Sequence, residues 1–257
     1  MDRRINIEFL SNFLIAFKGS FNFSLSLNRT LPEKFLSMNL VTKNLKHITN
    51  ELEIQAKEWQ QKIPKILAVS KRQDIELVKQ ALNAGHRDFG ENILQEAQKK
   101  WPLLRAEFPD VKLHLIGHLQ SNKVKDALAL FDIIETIDSE KLAKVIAKNY
   151  QKEIHNTEFL IQVNIGAEEQ KYGIAINETD DFINYFCHEL KLPLKGLMCI
   201  PPYQENPSLY FAFMHKIARR NNINYISQGM SSDYLKALQV GTSEIRVGSA
   251  LFGARKY

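Results

Sequence analysis

The sequence is poor in the features that mark several common classes. It has two cysteines in 257 residues. Cys187 and Cys199 form no C-x-x-C pair and no disulfide framework, so the chain is expected to be cytoplasmic with reduced thiols. Its most apolar uncharged patch, Phe9 to Phe17, is well short of the ~20 residues that span a bilayer, so a membrane partner is not expected. No run of five or six like charges is present, which argues against a nucleic-acid-binding arm even though 34 Lys+Arg outnumber 29 Asp+Glu. With 11 Gly and 8 Pro the chain is not collagenous or low-complexity. What remains is 44% hydrophobic and 25% charged, the composition of an ordinary globular protein. At this length a compact domain buries roughly three quarters of its unfolded surface, so its core closes without disulfides or metals.

The composition changes along the chain. Residues 1–37 hold six of the 15 Phe, five basic and three acidic residues. Arg3 and Arg4 resemble the start of a secretory signal, but Glu8 interrupts the apolar stretch and no small-residue cleavage site follows. The segment is expected to be a dispensable extension, with Met38 as the natural start. Residues 38–257 are expected to form one domain.

From Val41 the apolar positions Val41, Leu45, Ile48, Leu52, Ala56 and Trp59 draw the stripe of one amphipathic helix, which Pro64 is expected to end. Short β-branched runs then alternate with helical patterns. The runs are 65–71, 87–90, 112–117, 133–137, 159–165, 194–200, 224–227 and 244–248. Asp74 and Ser139 are placed to cap helices, with Ser121 just before another, and Gly85 is placed to stop one. Strand then helix, repeated, requires right-handed crossovers and a parallel sheet. Eight such units after a helix fit a closed (β/α)₈ TIM barrel better than an open doubly wound sheet. No G-x-G-x-x-G follows the first strand, which counts against a dinucleotide site there.

In a parallel barrel the chemistry lies where strands end at their C-terminal side. Lys71 ends the first run. A desolvated lysine there has the lowered pKa that condensation with an aldehyde requires, whereas an outward snorkelling lysine would be inert. The last two strands end in Gly229-Met230-Ser231-Ser232 and in Arg246-Val247-Gly248-Ser249. Barrels frequently bind phosphate at this place, although such a turn can equally be simple helix capping. An aldehyde-binding lysine facing a phosphate cradle matches pyridoxal phosphate, which carries both groups.

These residues resemble the pyridoxal phosphate homeostasis proteins, the alanine-racemase-like family of small barrels. The resemblance rests on Ala68-Val69-Ser70-Lys71, on Gly85 to Asn92, on His114 to Lys123, on Gln162 to Ile165, and on Lys171 to Ile174. It continues through Gly196-Leu197-Met198, through Gly229-Met230-Ser231 with Asp233, and through Arg246 to Gly253. It implies a fold-type III barrel holding pyridoxal 5′-phosphate as an internal aldimine on Lys71. It also implies phosphate contacts from Gly229, Met230, Ser231, Arg246, Gly248 and Ser249, with Asn92, Asn164 and Met198 lining the cofactor face. Three departures are present: a short loop at Arg72-Gln73 where the family has a longer one, Gln228 where it has methionine, and Ser249 where it often has threonine. Residues 1–37 have no counterpart in the family pattern.

The resemblance further implies a carrier that buffers the cofactor and supplies it to recipient apo-enzymes, with no catalytic residue of its own. Alanine racemases take a second base, a tyrosine, from a separate β-domain, and this sequence ends just after the eighth run. A weak amino-acid racemase using Lys71 and a local Tyr or His is the alternative. A monomer is expected. His114 and His118, read as i, i+4 on a strand, lack a third ligand, so no metal site is expected.

Overall fold

The computed structural model describes residues 39–254; the expected extension and start at Met38 lie outside the described residues. Eight parallel strands close into a barrel in sequential order. They are β1 (Lys65–Val69), β2 (Asp88–Glu91), β3 (Lys112–Leu115), β4 (Ile133–Ile137), β5 (Glu158–Val163), β6 (Leu194–Cys199), β7 (Ile226–Met230) and β8 (Glu244–Val247). Each of the eight expected runs overlaps one strand. Closure comes from β1 pairing with β8, Lys65 with Glu244 through Ala68 with Val247.

Around the barrel lie α1 (Leu40–Glu58), α2 (Ile75–Asn83), α3 (Leu94–Glu107), α4 (Val124–Leu130), α5 (Glu140–Asn149), α6 (Thr179–Asn184), α7 (Pro207–Arg220), α8 (Tyr234–Gln239) and α9 (Ser249–Phe252). Four of them begin with a side chain accepting from the first turn. Asn39 accepts from Thr42 N at 2.9 Å, Asp74 from Glu76 N at 2.8 Å, Ser139 from Leu142 N at 3.3 Å and Asn206 from Ser208 N at 3.2 Å. Ser121 instead opens a 3₁₀ turn, Ser121–Lys123, with no side-chain cap.

Two boundaries differ from expectation. Helix α1 ends at Glu58, before Pro64, because Gln60 takes a left-handed φ of 54° and turns the chain. Strand β7 runs on to Met230, so Gly229 and Met230 belong to the strand rather than to the loop after it.

The larger core lies between barrel and helices. Ala68, Phe89, Leu113, Ile134, Phe159, Leu197, Ile245 and Val247 face outward into it, with Trp101, Phe186 and Phe211 packed over them. Helix α1 adds Val41, Ile48, Leu52 and Ala56 and packs against α2, α8 and α9, covering the outside of the β1–β8 seam. The Asn44 side chain donates to Leu251 O at 2.9 Å, and Tyr234 OH bonds Glu51, tying that cover to the last two helices. A smaller apolar layer of Ile133, Leu160 and Met198 sits apart from the outer core, inside the barrel.

Gly229 has φ +90°, and a Cβ there would lie 2.6 Å from Ala237 Cβ and 3.1 Å from Tyr234 Cα. The substitution Gly229→Ala therefore adds both left-handed strain and a clash with α8. Thermal and urea unfolding should register a loss of roughly 2 to 4 kcal/mol; an unchanged midpoint would show that α8 moves aside freely.

Candidate functional site

At the C-terminal ends of the strands a cavity of about 410 Å³ is lined by Val69, Lys71, Asn92, Ile116, Ile200, Met230, Ser231, Ser232, Arg246, Gly248 and Ser249. That volume is within the usual range for a small-molecule site. Strand alternation explains its membership. Residues of β1 and β2 point in turn to the lumen and to the helices, so Ser70 and Glu91 are buried outward while Lys71 and Asn92 face the cavity. Asn92 is held there by a close approach of two strand ends. A Cβ on Gly117 would sit 2.1 Å from the Asn92 carbonyl oxygen, so only glycine lets them meet. The Asn92 side-chain oxygen is buried without a hydrogen-bond partner.

The loops after β7 and β8 are stitched together by one hydroxyl. Ser231 Oγ accepts from Gly248 N at 3.1 Å and from Ala250 N at 3.3 Å. Asp233 braces the same turn by accepting from Met230 N at 2.6 Å. Arg246 points inward: its Nη1 donates to Ser227 Oγ at 2.7 Å and its Nη2 to the Cys199 carbonyl at 2.8 Å. The guanidinium thus sits on the cavity floor rather than in the loops.

Of the ten residues expected to contact a cofactor, Lys71, Asn92, Met230, Ser231, Arg246, Gly248 and Ser249 line this one cavity, and Asn164, Met198 and Gly229 are not among its lining. Asn164 folds its side chain onto its own loop, donating to Glu168 O at 2.8 Å and accepting from Glu168 N at 3.2 Å. Met198 is fully buried in the lumen layer. Gly229 is a packing position against α8. Sequence reasoning missed Val69, Ile116 and Ile200, apolar residues at strand ends, whose burial gives no polar signal.

The two histidines diverge. His118 lies beyond β3, its Nδ1 2.8 Å from Asp138 Oδ2 and its ring stacked on Tyr172 at 4.0 Å. His114 points into the lumen, 2.7 Å from Glu135 Oε1 and 3.7 Å from Glu244 Oε2. Strands β3 and β8 are not neighbours, so this contact crosses the barrel interior. Tyr225 OH also donates to Glu244 at 2.8 Å. Burial opposes charge on His114, but Glu244 and Glu135 outweigh it and hold the imidazole above its usual range. Burial and the neighbouring Glu135 push Glu244 up to about 7. Burial also works against charge on Glu135, yet the His114 hydrogen bond and charge, with Arg246, keep it below the usual carboxylate range. One proton shared by the two carboxyls, with His114 and Arg246 charged, leaves the cluster with one net positive charge. Burial raises the Cys199 thiol to about 12, so it is inert at neutral pH.

A carboxyl whose pKa rises from 4.5 to about 7 on folding holds a proton that the unfolded chain has lost. Stability from Glu244 is therefore present below pH 4.5 and declines as pH rises through about 7. Glu244→Gln mimics the protonated group. Thermal unfolding of this variant should match wild type near pH 5 and exceed it at pH 8. An identical pH dependence in both proteins would show that Glu244 is ionised throughout.

Comparison with known proteins places this geometry. The profile of the alanine racemase N-terminal domain matches residues 44–256. The chain is 32% identical over 235 residues to the pyridoxal phosphate homeostasis protein of Vibrio alginolyticus, covering 86% of this chain and 100% of that protein. It is 33% identical over 215 residues to the human protein of that name, covering 76% and 78%. Among solved structures it is similar to PipY of Synechococcus elongatus with pyridoxal phosphate bound, at 28% identity and a TM-score of 0.72, covering 83% of this chain and all of that one. Alanine racemase of Corynebacterium glutamicum, at 15% identity and a TM-score of 0.64, shares the fold; the match covers 85% of this chain and 61% of that one. The chain belongs to the alanine racemase N-terminal domain family and, within it, to the pyridoxal phosphate homeostasis proteins.

Proposed function

We propose that this protein binds pyridoxal 5′-phosphate as an internal aldimine on Lys71 and buffers it in the cytoplasm for delivery to apo-enzymes, acting as a monomer without turnover. The observation that carries this reading is the placement of Lys71 in one cavity with the Ser231–Ser232 and Gly248–Ser249 loops. Such a cofactor supplies an aldehyde that condenses with a primary amine, releasing water, and a phosphate suited to clustered backbone N–H groups and hydroxyls. Lys71 would provide the amine. The two loops would hold the phosphate, with Ser231 exchanging its present N–H partners for that role. Asn92 would offer its unpartnered oxygen to a donor on the ring, and Ile116, Ile200 and Val69 would exclude water from its faces.

Arg246 fits as a fixed charge beneath the ligand. Its two hydrogen bonds inside the barrel leave it facing the cavity floor, where it favours an anionic ligand without needing to reach the phosphate.

The absence of turnover is supported by the lining itself. Racemisation needs a proton-transfer group on each face of the substrate carbanion. Among the described residues that line the cavity, Lys71 is accompanied by no histidine, tyrosine or carboxylate. The His118–Asp138 pair lies outside that lining. Among the described residues no helix is long and apolar enough to cross a membrane.

Borohydride reduction of cofactor-loaded protein followed by peptide mapping tests the reading. The label should fall on Lys71, and Lys71→Ala should lose the aldimine absorbance while retaining weak phosphate-dependent binding. A label on another lysine, or none, would contradict the covalent assignment. Release of D-amino acid from an L-amino acid by loaded wild-type protein, abolished in Lys71→Ala, would instead favour the racemase.

A further inference from the structure

Behind the cavity, on the helix side of β1 and β2, two buried charged residues and a partly exposed third meet. Lys100 of α3 has a side chain only 6% exposed and Glu91 of β2 is fully buried. Lys100 Nζ donates to Glu91 Oε1 at 2.9 Å, to Glu96 Oε1 at 3.0 Å and to the Ser70 carbonyl at 2.8 Å. All three ammonium protons are thereby used. Glu91 Oε1 also accepts from Ser70 Oγ at 2.7 Å and from Trp101 Nε1 at 3.0 Å. Glu96 accepts from Arg72 N at 2.6 Å. Desolvating three charges is costly, and a hydrophobic triplet of the same volume would hold these elements together at least as well. Stability alone does not account for the arrangement.

What the cluster grips is specific. Ser70 and Arg72 are the residues on either side of Lys71. Ser70 is pinned at its amide by Gly90 O at 3.0 Å, at its hydroxyl by Glu91 and at its carbonyl by Lys100. Arg72 is pinned at its amide by Glu96 and takes a left-handed φ of 56°, a conformation disfavoured for a residue with a Cβ. A chain with no such anchor would relax that turn, and Lys71 would swing with it.

We infer that Glu91, Glu96 and Lys100 form a positioning triad that fixes the backbone on both sides of Lys71 and thereby holds its amine at the cavity for aldehyde condensation. This deepens the reading under Proposed function and rests on it. The triad also keeps Lys100 itself from reacting. Its ammonium has no lone pair and donates to three acceptors, whereas Lys71 lines the cavity.

The test uses the full chain and two probes: pyridoxal 5′-phosphate, and 4-deoxypyridoxine 5′-phosphate, which lacks the aldehyde and reports only the non-covalent cradle. In Glu96→Ala, which removes the acceptor of the Arg72 amide at a partly exposed residue, and in Lys100→Met, the pyridoxal phosphate concentration for half-maximal aldimine absorbance should rise about tenfold, the scale on which supporting contacts act. Affinity for the aldehyde-free analogue should stay within about twofold, since the two phosphate loops are untouched. Circular dichroism and thermal unfolding identify any variant that fails to fold, and Glu96→Ala keeps the test decisive if Lys100→Met does. Equal aldimine formation in wild type and folded variants would overturn the positioning role. Loss of both probes in parallel would also overturn it, by making the triad a general structural element. Failure of wild type itself to label at Lys71 would remove the underlying reading instead.

Discussion

The site depends on the pairing of the first strand with the last. Lys71 and Gly248 are separated by most of the sequence, and the β1–β8 register from Lys65–Glu244 to Ala68–Val247 is what sets them side by side. Every later feature assumes that seam. Helix α1 covers it from outside, burying Val41, Ile48, Leu52 and Ala56 against the helices that flank it. Parallel closure is slow and entropically costly because its contacts are remote in sequence, so the cover is a reasonable use of a helix that belongs to none of the eight repeats.

The lumen is unusual in being charged beneath the cavity. Barrel interiors are ordinarily filled with branched apolar side chains, and here Ile133, Leu160 and Met198 supply only part of the filling. His114, Glu135, Glu244 and Arg246 occupy much of the rest, with His114–Glu244 and Arg246–Cys199 linking strands that are not neighbours. Burial of two carboxyls is tolerable because Glu244 tends to keep its proton while Glu135 faces His114 and Arg246. That network ends at Arg246, which belongs both to the cluster and to the cavity floor. On the other side of β1, Glu91 Oε1, Glu96 and Lys100 bond to one another and to the backbone around Lys71.

The architecture was legible in the sequence because short apolar runs, several of them β-branched, alternate with helical stripes. The cavity was legible where a polar residue ends a strand, which is why Lys71, Asn92, Ser231 and Ser249 were found. Asn164 also ends a strand, yet its amide closes a local turn with Glu168 that strand position does not reveal. The end of β7 was misplaced because Gly229 reads as a turn residue, whereas its left-handed φ serves the close packing of α8. Both charged clusters were invisible for a different reason. Glu91, Lys100, Glu135 and Glu244 look like ordinary surface charges in one dimension, and only register and helix packing bring them into contact. Ser70, between two apolar neighbours and the lysine, was the single local hint.

A crystal structure of the protein loaded with pyridoxal 5′-phosphate tests the central claim most directly. Continuous density should join the cofactor's aldehyde carbon to Lys71 Nζ, with the phosphate between the Ser231–Ser232 and Gly248–Ser249 loops and the ring above Arg246. Cofactor bound without a bond to Lys71, or with its phosphate away from those loops, would contradict it.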